Sequence, residues 1–114
     1  MPIIKDERVH LIKGLFQQTL PIFLNSFGAK NQLIIHCDAD LYASTLYILT
    51  CLNNKIIAPG SIIIFDEFFS YLHEYRAFRD FTNSYMRNYE LVAATTRAPG
   101  DPILYFQLAI KIIK

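Results

Sequence analysis

The chain has 114 residues, 53% of them hydrophobic, with 11 basic and 10 acidic residues and a formal net charge of +1. This length suits one small domain, or part of a larger one, and the apolar content excludes a disordered chain. The charges are interspersed, no apolar run is long enough for a bilayer and the N-terminus has no secretory pattern, so a soluble cytoplasmic protein with neither nucleic-acid nor membrane partners is expected.

In chain order, Val9–Gly14 reads as a short strand stopped by Gly14, with His10 as an edge residue. Phe16–Phe27 reads as a helix with Leu15, Thr19, Leu20, Phe23, Leu24 and Phe27 near one face. Pro21 within it marks a first helical turn or a break. A loop at Asn25–Asn31 leads to a second strand, Leu33–Asp38. Tyr42–Asn53 has helical spacing through Leu46, Leu49, Thr50 and Asn53. Ala58-Pro59-Gly60 is a turn, and Ser61–Asp66 a third strand.

The next helix covers Glu74–Asn88, with Phe78, Phe81, Tyr85 and Met86 toward the sheet and Arg76, Arg79, Asp80 and Arg87 toward water. Leu91–Thr96 is a fourth strand, Arg97–Pro102 a turn-rich loop, and Ile103–Ile112 a fifth strand. No room for a helix separates the last two strands, so they form an antiparallel hairpin. The alternation implies a single α/β domain over residues 1–114, with a mostly parallel sheet closed by that hairpin. Cys37 and Cys51 lie in strand and helix patterns, as reduced core residues would, and no CxxC motif is present.

Two apolar, β-branched runs stop on acids: Leu33–Asp38, and Ser61–Asp66 followed by Glu67. Such runs suit strands covered on both faces, and chemistry in open α/β sheets collects at the carboxyl ends of the strands. Neighbouring strands lie about 4.8 Å apart, so Asp38 and Asp66 at adjacent ends could share a small cation. The competing reading makes them strand-end or helix-capping acids bonded to backbone N–H groups.

Three segments carry a resemblance. Lys13-Gly14-Leu15-Phe16-Gln17-Gln18-Thr19-Leu20-Pro21, Asp38-Ala39-Asp40-Leu41-Tyr42-Ala43-Ser44-Thr45 and Pro59-Gly60-Ser61-Ile62-Ile63-Ile64-Phe65-Asp66-Glu67 resemble, in order, three motifs of the macrocin O-methyltransferase family. The resemblance implies part of a doubly wound, Rossmann-like methyltransferase sheet. It also implies an enzyme that uses S-adenosylmethionine and Mg²⁺ to methylate a hydroxyl of a sugar or related small molecule. By that analogy Asp38, Asp66 and Glu67 hold the metal, with Asp38 also catalytic. An all-oxygen set suits Mg²⁺, or Mn²⁺ or Ca²⁺, rather than zinc.

The resemblance matches the C-terminal half of such enzymes. The four glycines are scattered, and none forms the G-x-G cluster expected of the cofactor half. The chain is therefore expected to be a fragment, a truncated product or half of a split enzyme, incomplete for catalysis alone. With the strands of that half missing, the Leu33–Asp38 edge invites homodimerisation or association with a cofactor-binding half. A non-catalytic α/β module that pairs through this edge is the alternative.

Other residues have plainer expected roles. Asp40 caps the helix that begins near Tyr42, with a catalytic role as runner-up, and Ser44 and Thr45 make helix-start hydrogen bonds. His36 is a satisfied core or supporting histidine, with a general base as the alternative. His73 is exposed, with substrate contact as the alternative. Phe68, Phe69 and Tyr71 either wall a substrate pocket or pack beneath the following helix.

Overall fold

Apolar side chains at every second position of four short segments decide where the core lies. The protein is described by a computed structural model at residues 3–28, 31–53, 55–66, 68, 72–96 and 105–114. In chain order these form α1 (Phe16–Ser26), β1 (Ile34–Cys37), α2 (Tyr42–Asn53), β2 (Ile62–Phe65), α3 (Glu74–Ser84), β3 (Tyr89–Thr96) and β4 (Tyr105–Ile112). The strands form one sheet in the order β1-β2-β4-β3.

β1 and β2 pair in parallel, with Ile35 opposite Ile63 and Cys37 opposite Phe65. β4 runs antiparallel to both β2 and β3, so the hairpin forms as expected. The expectation of a mostly parallel sheet is corrected, because β4 returns between β2 and β3 and leaves β1–β2 as the parallel ladder among the described strands. The reason is apolar continuity: in that slot Leu108 and Ile110 extend the buried rows of Phe65 and Ile63.

That face carries the core. Phe65, Ile63, Ile110 and Ile112 are fully buried and cluster with Leu24 of α1, Leu49 and Leu52 of α2 and Phe78 and Phe81 of α3. Phe78 meets Phe65 edge-on at 5.2 Å and Tyr89 at 4.7 Å between ring centroids. The opposite face is open, with Ile34 60% exposed, Val92 50% exposed and His36 exposed. The described helices thus make two layers with the sheet, where a doubly wound arrangement covers both faces.

Several expectations need correction. Val9–Lys13 forms no strand; it is exposed, and its residues line a cavity with Phe23, Ser26 and Phe27 of α1 and its C-terminal end instead of joining a ladder. A strand exists only where a neighbour accepts its hydrogen bonds. His10 is therefore not an edge-strand residue. Pro21 lies beyond the first turn of α1, yet the helix continues through it. The cost is the Gln17 carbonyl's helical partner, and exposure of both residues lets water replace it. The core face of α2 is Thr45, Ile48, Leu49 and Leu52, rotated from the expected stripe. α3 stops at Ser84, because Met86 turns to φ +54°; Tyr85 and Met86 are exposed. Arg87 reaches back instead of facing water, donating to Asn53 Oδ1 at 2.8 Å and the Ile57 carbonyl at 3.0 Å.

Gly14 has a local reason in its first motif. Its φ is +141°, and a Cβ there would come within 2.7 Å of Thr19 Cγ2. Thr19 in turn donates its hydroxyl to the Leu15 carbonyl at 3.0 Å. Both cysteines are free, Cys37 buried and Cys51 partly so. Among the described residues, no helix is long and apolar enough to cross a membrane.

Phe81 packs in the fully buried centre of this core. Phe81→Ala will lower unfolding free energy by about 3–5 kcal/mol, read by urea denaturation. Burial pushes the Cys37 thiol up to about 12, with the Glu74 charge adding to the effect. At pH 8 a maleimide will therefore modify Cys51 in the native protein and leave Cys37 unmodified, as read by peptide mass spectrometry.

Candidate functional site

The parallel ladder sets the positions of the acids. It ends with Cys37 opposite Phe65, and the Asp66 N–H donates to the Cys37 carbonyl at 3.3 Å. Asp38 and Asp66 therefore leave neighbouring strands at the same level, as the sequence indicates. Their charges interact: the pKa of the Asp38 carboxyl is raised from its ordinary value, chiefly by the charge of Asp66. Desolvation and Asp40 act in the same direction, and His36 opposes them.

The loop after Asp38 is tightly folded. Asp40 has φ +62°, and Leu41 N–H bonds to the Ala39 carbonyl at 2.6 Å across it, a γ-turn with a left-handed central residue. This conformation corrects the capping expectation. Among the described residues, no hydrogen bond joins the Asp40 carboxylate to the first turn of α2. His73 takes that place, its Nδ1 accepting the Tyr42 N–H at 3.2 Å. His73 is thus half-buried rather than exposed, and it ties the Asp38 loop to the start of α3. An acceptor at Nδ1 requires neutral imidazole with its proton on Nε2.

Around this joint, Tyr42 donates its hydroxyl to Asp80 Oδ2 at 2.6 Å and lies beneath the Arg76 guanidinium at 4.8 Å. Thr45 donates to the Leu41 carbonyl at 2.8 Å, the helix-start role expected of it. Glu74 is fully buried in the first turn of α3, a burial that sequence spacing does not reveal. Phe68 packs on Phe65, Tyr75 and Phe78, so it lies under the helix as core. Phe69 and Tyr71 lie outside the described residues, as does the 97–102 loop.

On the open face, Asp66 has further partners. His36 Nε2 lies 3.7 Å from Asp66 Oδ1, and the histidine is exposed instead of in the core. Gln107 of β4 donates from Nε2 to the same oxygen at 3.1 Å. The Gln107 N–H donates to Thr95 Oγ1 at 3.2 Å, and the Thr95 hydroxyl reaches Gln107 Oε1 at 3.4 Å. Gln107 and Thr95 escaped the sequence reading. The available signal was alternation: Gln107 and Lys111 share parity against buried Leu108, Ile110 and Ile112.

Among the described residues, no group of three or more histidine, cysteine, aspartate or glutamate side chains is arranged to hold a metal ion. Glu67, the expected third ligand, lies outside them. The pair Asp38 and Asp66 offers hard carboxylate oxygens, which suit a cation that keeps much of its water. A glycine-rich cradle for a nucleoside cofactor is not found in the sequence; Gly60 stands at the start of β2, away from its carboxyl end.

Comparison with curated proteins and with solved structures gave no match. Residues 3–94 match the family described as macrocin-O-methyltransferase (TylF), which takes in all three motifs and both acids. The chain belongs to the macrocin O-methyltransferase family, and its activity class is O-methyl transfer.

Proposed function

We propose that this chain is the acid-bearing part of an S-adenosylmethionine- and Mg²⁺-dependent O-methyltransferase that acts on a hydroxyl of a sugar or related small molecule. The observation that carries the reading is the level placement of Asp38 and Asp66 by the parallel β1–β2 ladder. These carboxylates would hold the cation, with Glu67 as a third ligand. A bound Mg²⁺ would supply Lewis acidity, making a nearby hydroxyl easier to deprotonate. By the family resemblance Asp38 would also take part in catalysis, beside the hydroxyl that the cation activates. The four glycines form no G-x-G cluster, so a cofactor-binding half would supply the loop that holds S-adenosylmethionine.

The calorimetric test uses Mg²⁺ and the chain as it stands. Binding is expected for the wild type, with loss in Asp38→Ala and Asp66→Ala. S-adenosylmethionine alone is expected to give no tight binding. Mg²⁺ binding unchanged in Asp38→Ala would overturn the acid-pair reading, and tight S-adenosylmethionine binding would overturn the external-cofactor reading.

The open sheet favours a second reading, in which the chain pairs with another copy, with or without catalysis. β1 is an edge strand, and the face behind it exposes Ile34 and Val92. Antiparallel β1–β1 pairing would satisfy both copies' edge groups across a two-fold axis. Leu33 and Cys37 turn their carbonyls to β2, so Ile34 turns its N–H to the free edge. Sedimentation velocity is expected to give a dimer that an Ile34→Pro edge variant dissociates, since proline removes that N–H. A monodisperse wild-type monomer counts against this reading.

A further inference from the structure

A polar row crosses the sheet at the level of the acids. The β1–β2 register continues from Cys37 opposite Phe65 to Asp38 beside Asp66. The β2–β4 register continues from Phe65 opposite Leu108 to Asp66 opposite Gln107. In the hairpin, Gln107 pairs with Thr95. Asp38, Asp66, Gln107 and Thr95 thus follow one another across all four strands.

The hydrogen bonds along this row have a direction. The Gln107 backbone N–H occupies Thr95 Oγ1, leaving the threonine proton available to Gln107 Oε1. With Oε1 turned toward β3, the amide presents Nε2 to Asp66 Oδ1. The flipped amide would set its oxygen against a carboxylate. Gln107 and His36 approach the same oxygen, and among the described residues no hydrogen bond reaches Asp66 Oδ2. One oxygen is tethered while the other remains for a ligand.

We infer that Gln107, oriented by Thr95, is a positioning residue that aims the Asp66 carboxylate at a cation shared with Asp38. The inference rests on the acid-pair reading above and adds a residue from the closing hairpin to it. Groups that orient a ligating carboxylate govern affinity through geometry, and their removal typically weakens metal binding by about 10–100-fold. Gln107 and Thr95 are exposed, so their loss changes little of the core.

The test is Mg²⁺ calorimetry on wild type, Gln107→Leu, Thr95→Val, the double variant and Asp38→Ala, with thermal unfolding of each. Gln107→Leu is expected to bind about tenfold more weakly at unchanged Tm. Thr95→Val is expected to lose less, and the double variant to match Gln107→Leu, because threonine acts through the amide. In ¹H–¹⁵N spectra, the Gln107 side-chain amide signals should shift when Mg²⁺ is added to wild type and stay unchanged when it is added to Asp38→Ala, a response that a glutamine unconnected with the cation would not give. Wild-type affinity in Gln107→Leu, with binding lost in Asp38→Ala, overturns the positioning role and leaves the acid pair standing. Binding that survives Asp38→Ala, or is absent from wild type, overturns the acid-pair reading and this inference with it.

Discussion

The parallel ladder between β1 and β2 is the constraint on which the rest depends. It joins two strands separated in sequence by α2, and it fixes Cys37 against Phe65. Side chains alternate along a strand, so this register simultaneously assigns Ile35, Cys37, Ile63 and Phe65 to the helical layer and Asp38 and Asp66 to a common level. A slip of one residue would expose the core row and separate the acids. Packing and site geometry are therefore set by the same hydrogen bonds.

The loops beyond the ladder have a second joint. The γ-turn at Asp40 turns the chain into α2, and His73 accepts the first N–H of that helix from across the interface with α3. Tyr42, Asp80 and Arg76 extend the joint along the helix pair. The two acid-bearing loops are thereby connected above the sheet as well as through it. Family membership assigns the activity class, while these contacts explain why the Asp38–Thr45 motif has its composition: Leu41 supplies a carbonyl to Thr45, and Tyr42 supplies both a capped N–H and a phenol for Asp80.

The elements that could be read from sequence are those whose cause is local. Tyr42–Asn53 has the bounds its helical spacing indicates, and the hairpin follows from the lack of room for a crossover. The failures share a different cause. Val9–Lys13 has strand composition but no ladder partner, and the α2 stripe rotates because burial depends on where α3 lies. Pro21 is tolerated because its side of α1 faces water. In each case a neighbour distant in sequence overrides the local preference.

The sequence by itself determined the two acid-ended strands, the order of helices and strands after Gly14, and the three motifs that identify the family. Those features are carried by period, turn chemistry and residue identity, which are properties of contiguous segments. The tertiary structure alone decided that β4 enters beside β2, that the sheet keeps one open face, and that Gln107 and Thr95 join the row of the acids. Those outcomes arise from long-range register: Asp66 and Gln107 meet only because Phe65 and Leu108 are buried opposite each other.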